Sequence, residues 1–102
     1  MLVVVTLFEL HIEFAESLKD KRMVVKSLRD RLRRRFEVSA AEVGLQDLHQ
    51  RGRMAVAFIA LDHAGADRTV EKLVDFVESN TDATLAGWTT EKLEFDEDAS
   101  LS

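Results

Sequence analysis

Four cations recur at intervals of four, three and four residues: Arg22, Lys26, Arg29 and Arg33. On a helix turning 100° per residue this spacing gathers them into one narrow arc. Such a stripe suits the phosphates of a polyanion, with an affinity that falls steeply as salt rises. The arrangement has a local cost, since like charges four apart disfavour an isolated helix by roughly 0.2–0.5 kcal/mol per pair. Lys19, Lys21 and Arg22 crowd the start of the same segment, where the helix dipole disfavours cations. Cations beside free backbone N–H groups there make a candidate phosphate or sulfate site; the competing reading is a capped helix with solvated lysines. A second polar group, Gln46, Asp47 and Arg51, marks a loop where a small molecule would be sensed or turned over.

Other chemistries find no support. Cysteine is absent, which excludes disulfides, thiolate catalysis and Cys-based zinc sites. His11, His49 and His63 lack metal-ligand spacing and read as surface or edge residues. The glycines are scattered, with no phosphate-cradling loop and no G-x-S-x-G turn. No metal or cofactor is expected, and these absences weigh against an enzyme while leaving the loop at residues 46–51 as the alternative. Arg51–Phe58 partly mimics the third-strand motif of RNA-recognition domains, but Arg53 and Ala55 stand where stacking aromatics belong, so base stacking on a sheet is not expected.

The elements that must position these residues follow from periodicity. Over Leu2 to Glu13 β-branched and aromatic residues dominate, with polar ones entering on alternate positions, and the segment reads as a strand. Ser17 and Asp20 have capping-box spacing, so a helix starts near Leu18. Leu18, Val25, Leu28, Leu32 and Phe36 form its apolar stripe to about Arg35. A strand over Val38–Val43, a connection over Leu45–Gly52 and a strand over Met54–Leu61 come next. Val70, Leu73, Val74 and Val77 mark a second helix over Ala66–Ser79, and Ala83–Phe95 is the last strand. The order βαββαβ predicts an α+β ferredoxin-like sandwich, with a four-stranded antiparallel sheet and two helices on one face.

With 102 residues the chain has room for a single domain, assigned to residues 1–95, and 96–102 reads as an acidic, frayed tail. No apolar run approaches the ~20 residues of a membrane span, and Met1–Phe14 lacks the marks of a signal peptide. A cytoplasmic location and no membrane partner are expected. The net charge of −5 is unevenly spread: residues 19–35 hold nine Lys and Arg against Asp20 and Asp30, a balance of +7, and the other 85 residues hold five cations and seventeen anions, a balance of −12. On the second helix Asp67, Glu71, Asp75 and Glu78 make an acidic stripe. The predicted topology turns it towards the fourth-strand edge and the basic stripe towards the second-strand edge, so neither neutralises the other.

Both faces of the predicted sheet are apolar. Val3, Val5 and Leu7 oppose Leu2, Val4, Phe8, Leu10 and Ile12, and Ala55, Ala57, Ile59 and Leu61 oppose Met54, Val56, Phe58 and Ala60. Helices cover one face only, and monomers rarely leave a large apolar patch uncovered. A homodimer or larger homo-oligomer through the open face is expected.

Several segments also resemble the YlxP-like family of small bacterial proteins of unknown function. They are Glu9-Leu10-His11-Ile12, Ser17-Leu18-Lys19-Asp20-Lys21-Arg22, Val24–Leu28, Asp30–Arg33, and Ala41-Glu42-Val43-Gly44 with Gln46, Asp47 and Arg51. The resemblance runs over about four-fifths of the chain. It implies a ferredoxin-like fold and supplies no catalytic residues. Such genes often neighbour those of translation initiation and ribosome maturation, which implies, by association, an RNA-binding or ribosome-associated role. Three functions are therefore carried forward: binding of RNA backbone or another polyanion through the basic helix, a homo-oligomeric interaction module, and a small-molecule sensor or enzyme at residues 46–51.

Overall fold

The computed structural model describes residues 1–101. Its elements run β1 (Leu2–His11), α1 (Leu18–Arg35), β2 (Ser39–Gly44), β3 (Arg51–Ala60), α2 (His63–Ser79) and β4 (Thr84–Glu94). The strands form one sheet in the order β2-β3-β1-β4, with every neighbouring pair antiparallel. This is the ferredoxin-like α+β arrangement anticipated from the order of elements.

The core lies between the helices and one face of the sheet. Leu2, Val4, Phe8, Leu10 and Ile12 on β1 and Met54, Val56 and Phe58 on β3 meet Val25, Leu28 and Leu32 of α1 and Ala66, Leu73 and Val77 of α2. Phe8 stacks on Trp88 across the β1–β4 pair, with ring centroids 4.6 Å apart. One polar residue of this face, Thr6, is fully buried and satisfied, donating to the Thr89 carbonyl and receiving a bond from the Thr90 hydroxyl.

The helix starts rest on side-chain caps. Ser17 Oγ accepts from Asp20 N–H at 3.1 Å, and the Asp20 carboxylate accepts from Glu16 N–H at 3.0 Å. The reciprocal bond of the capping box thus lands one residue before the cap. The second helix begins at His63, three residues earlier than the apolar stripe indicates, because Asp62 caps it by accepting from Gly65 N–H at 2.7 Å. A Cβ on Gly65 would sit 3.1 Å from that carboxylate oxygen, so glycine permits the close approach.

Strand limits differ from expectation by one residue at each end of β2 and β4, and at three places on β1 and β3. β1 ends at His11, since Ile12 N–H leaves the ladder for the Gln50 carbonyl. β3 begins at Arg51, because Arg51 and Gly52 pair with His11 and Leu10, and the connection shrinks to Leu45–Gln50, with Leu45 at a positive φ of 59°. β3 also stops at Ala60, leaving Leu61 outside the sheet in solvent. Past β4, Ala99 N–H reaches the Asp96 carbonyl and Glu97 lies 2.8 Å from the Met1 amino group.

Candidate functional site

The start of α1 is not an open anion site around Lys21. Lys21 is fully buried and points under the β2–β3 connection. Its ammonium donates to the carbonyls of Leu45 (2.8 Å), Arg51 (3.2 Å) and Gln46 (3.3 Å). Those bonds use its three N–H groups, so the Glu42 carboxylate, 3.1 Å away, is held by charge without a hydrogen bond. Gly52 leaves room for this pair; a Cβ there would sit 3.3 Å from Glu42 Oε2. Lys21 is therefore a pin that joins α1 to the loop, which corrects its assignment as an anion ligand. The physical reason is local: a charge this deep needs a full set of partners, and the loop carbonyls supply them.

The rest of the basic stripe divides in two. Lys19, Arg22 and Lys26 are exposed. Arg29 pairs with its neighbour Asp30 at 3.0 Å, and Arg33 donates to the Ala40 carbonyl at 2.8 Å, tying α1 to β2. The stripe lies on the β2 side, where Arg22, Lys26 and Arg29 border Glu42. The acidic stripe of α2 lies at the other edge, where Asp67 pairs with Lys92 of β4. Among the described residues no ion pair joins the two helices.

The loop residues do not assemble with one another. Gln46 contributes its backbone carbonyl to Lys21, and Asp47 is exposed. Arg51 instead turns onto the open face of the sheet, where it joins a group missed by the reading of single motifs. Register brings Glu9 and His11 of β1 beside Arg53 and Arg51 of β3. Arg51 donates from Nε (3.1 Å) and Nη2 (3.0 Å) to Glu9 Oε2, Arg53 donates from Nε to Glu9 Oε1 (3.1 Å), and His11 Nε2 lies 2.8 Å from Glu9 Oε2. The Glu9 side chain keeps only 15% of its surface, while both arginines remain about half exposed. The hydrogen bond with His11, followed by those from Arg53 and Arg51, lowers the Glu9 pKa from 4.5 to about 2, so it stays anionic at any ordinary pH. A legible signal existed: Glu9/His11 and Arg51/Arg53 each have the two-residue spacing that puts them on one face of a strand.

The open face thus has two halves, read row by row from the register. At one end Ile59, Val3 and Leu93 align, then Ala57 and Val5 with Glu91, and Ala55 and Leu7 with Thr89, so this half is apolar on β1 and β3 with a polar margin on β4; at the other, Arg53, Glu9 and Gly87 align, then Arg51, His11 and Thr84. On the apolar half Val5, Ile59 and Leu93 are 43%, 67% and 64% exposed. On the polar half a hollow of about 660 Å³ is bounded by Leu7, Glu9, His11, Arg51, Arg53 and Gly87, among others.

Comparison with known proteins gives kinship without an activity. Residues 3–90 match the family described as protein of unknown function (DUF503). The uncharacterized protein YlxP of Bacillus subtilis (strain 168) is 32% identical over 65 residues, covering 64% of this chain and 71% of that protein.

Proposed function

The chain belongs to the DUF503 family of proteins of unknown function, and from that premise we propose that it is a non-catalytic interaction module that forms a homodimer through the open face of its sheet. The observation that carries this reading is the uncovered apolar half, where Val5, Ile59 and Leu93 stand in solvent. Patches of that kind mark interaction surfaces. Its shape favours a second copy: small aliphatic side chains on a sheet offer no groove for a helix or peptide, and the matching flat apolar surface is the same face of another chain. An isologous pairing also needs no complementary charge on a different partner.

Sedimentation equilibrium tests it. The wild-type chain is expected at twice the 11.6 kDa monomer mass. Ile59→Asp is expected at one monomer mass with an unchanged circular-dichroism spectrum, since Ile59 lies outside the core. About 1 M salt, which confines charge interactions to roughly 3 Å, should leave the wild-type dimer intact; dissociation there would instead assign assembly to the basic and acidic edges. A monomeric wild type, or a dimeric Ile59→Asp, overturns the reading.

A second reading is supported by the exposed cations of α1. Lys19, Arg22 and Lys26, with the engaged Arg29 and Arg33 beside them, face outward without a carboxylate from α2. They suit RNA backbone, on the ribosome or free, or another polyanion. Its test is affinity for an arbitrary RNA against salt: Arg22→Gln and Lys26→Gln should each lower the log–log slope by about 0.7–0.9, the share of one neutralised phosphate. Affinity indifferent to both salt and substitution removes it.

A further inference from the structure

The polar half of the open face has more donors than its own carboxylate can use. Each guanidinium carries five N–H groups; Glu9 takes two from Arg51 and one from Arg53. The remaining N–H groups belong to half-exposed side chains whose planes Glu9 already holds. With Glu9 ionised, the two arginines carry one positive charge more than their shared carboxylate compensates.

Beside this fork is a space that the fold does not require. Gly87 lies opposite Glu9 on β4, next to an irregularity where the register shifts between Glu9 and Leu10. No glycine has a positive φ, and a Cβ on Gly87 would meet nothing within 4 Å. Neither backbone conformation nor packing demands glycine there, and a side chain at that position would project from the open face into the hollow. The hollow, about 660 Å³, falls in the range of small-molecule sites, roughly 300–1,000 Å³.

We propose that the hollow between Arg51, Arg53 and Gly87 binds a small organic monocarboxylate, whose carboxylate takes the free N–H groups of the two arginines and whose carbon body lies over Gly87 against Leu7. Planar guanidinium forks match planar carboxylates, and on Glu9 the Arg51 fork closes on a single oxygen while Arg53 gives one bond, which leaves further N–H groups over. A single surplus positive charge favours a monoanion, because a phosphate dianion would stand uncompensated beside Glu9.

The test is a titration with sodium benzoate followed by amide and arginine side-chain NMR shifts, on the wild type and on Ile59→Asp, whose face a second copy should not cover. Saturable shifts at Gly87 and at the Arg51 and Arg53 Nε–H groups are expected in at least one of them, with a dissociation constant of about 1 mM, ordinary for so small a ligand. Arg51→Gln/Arg53→Gln should weaken binding at least tenfold, and Gly87→Val should do the same while keeping the strand. Glu9→Gln, which removes the internal competitor, should tighten it. Absence of saturable shifts in both proteins, or shifts that survive both the arginine and the Gly87 substitutions, overturns the proposal. Inorganic phosphate is the control anion: equal or tighter binding of phosphate overturns the carboxylate assignment.

Discussion

Two sets of cations in this chain differ in how they are assembled. On α1, Arg22, Lys26, Arg29 and Arg33 share a face because they are three or four residues apart, and one helix suffices to align them. In the Glu9 cluster, β1 supplies the carboxylate and imidazole, β3 the two guanidiniums and β4 the glycine opposite. The first set repels itself and, among the described residues, bonds to Asp30 and the Ala40 carbonyl, with Glu42 at its border. The second is bound around a carboxylate whose pKa is driven to about 2. Lys21 belongs with the second kind although it sits in the first by sequence: next to exposed Arg22, it is buried among three carbonyls and Glu42. Charges aligned by a helix keep their alignment without an internal partner, whereas those collected by tertiary structure are held by one, and only the N–H groups it leaves over can reach a ligand.

The strongest test of this contrast is to truncate two adjacent residues. Lys21→Ala leaves Glu42, two loop carbonyls and the Arg51 carbonyl of β3 without their cation and should cost about 3–5 kcal/mol by urea denaturation. If it proves as mild as an Arg22 substitution, Lys21 is no pin and the division fails.

The next effect is in pH. The Glu9 carboxyl titrates near 4.5 when unfolded and near 2 when folded. Its contribution to stability is therefore complete above pH 4.5 and lost as pH falls from there through 2. The wild-type melting temperature should drop more steeply across that window than that of Glu9→Gln. Parallel curves would mean that the arginines do not hold Glu9 in solution.

Smaller still is the response of the helix stripe. Arg22→Gln or Lys26→Gln relieves a like-charge neighbour and should change stability by no more than about 0.5 kcal/mol, in the stabilising direction. A clear destabilisation would reveal a partner for the stripe within the folded chain. Gly87→Val should be equally mild, because the added side chain enters open space.

Much of the architecture was legible because it depends on local order. The βαββαβ sequence, the Ser17 cap, both charged stripes and their placement at opposite edges follow from spacing and topology. The start of β3 is hidden because the polar Arg51–Gly52–Arg53 looks like a loop until His11 and Leu10 pair with its first two residues; the end of β1 is hidden because Ile12 stays apolar while its N–H turns to the Gln50 carbonyl. The Asp62 cap lies outside the apolar stripe from which the second helix is read, and it depends on the room Gly65 leaves for the carboxylate.

What the sequence determined by itself is everything set by neighbours a few residues away: where helices and strands form, which of their faces are apolar, and that Arg22, Lys26, Arg29 and Arg33 lie together. Apart from near neighbours such as Arg29 and Asp30, tertiary structure decided which charges meet. Glu9 and Arg53 are 44 residues apart, and a one-residue slip in the β1–β3 register would send their side chains to opposite faces of the sheet. Lys21 looks like any cation of a helix's first turn until the β2–β3 connection closes over it. A side chain's spacing tells which way it points, but only the packed fold tells what is waiting there.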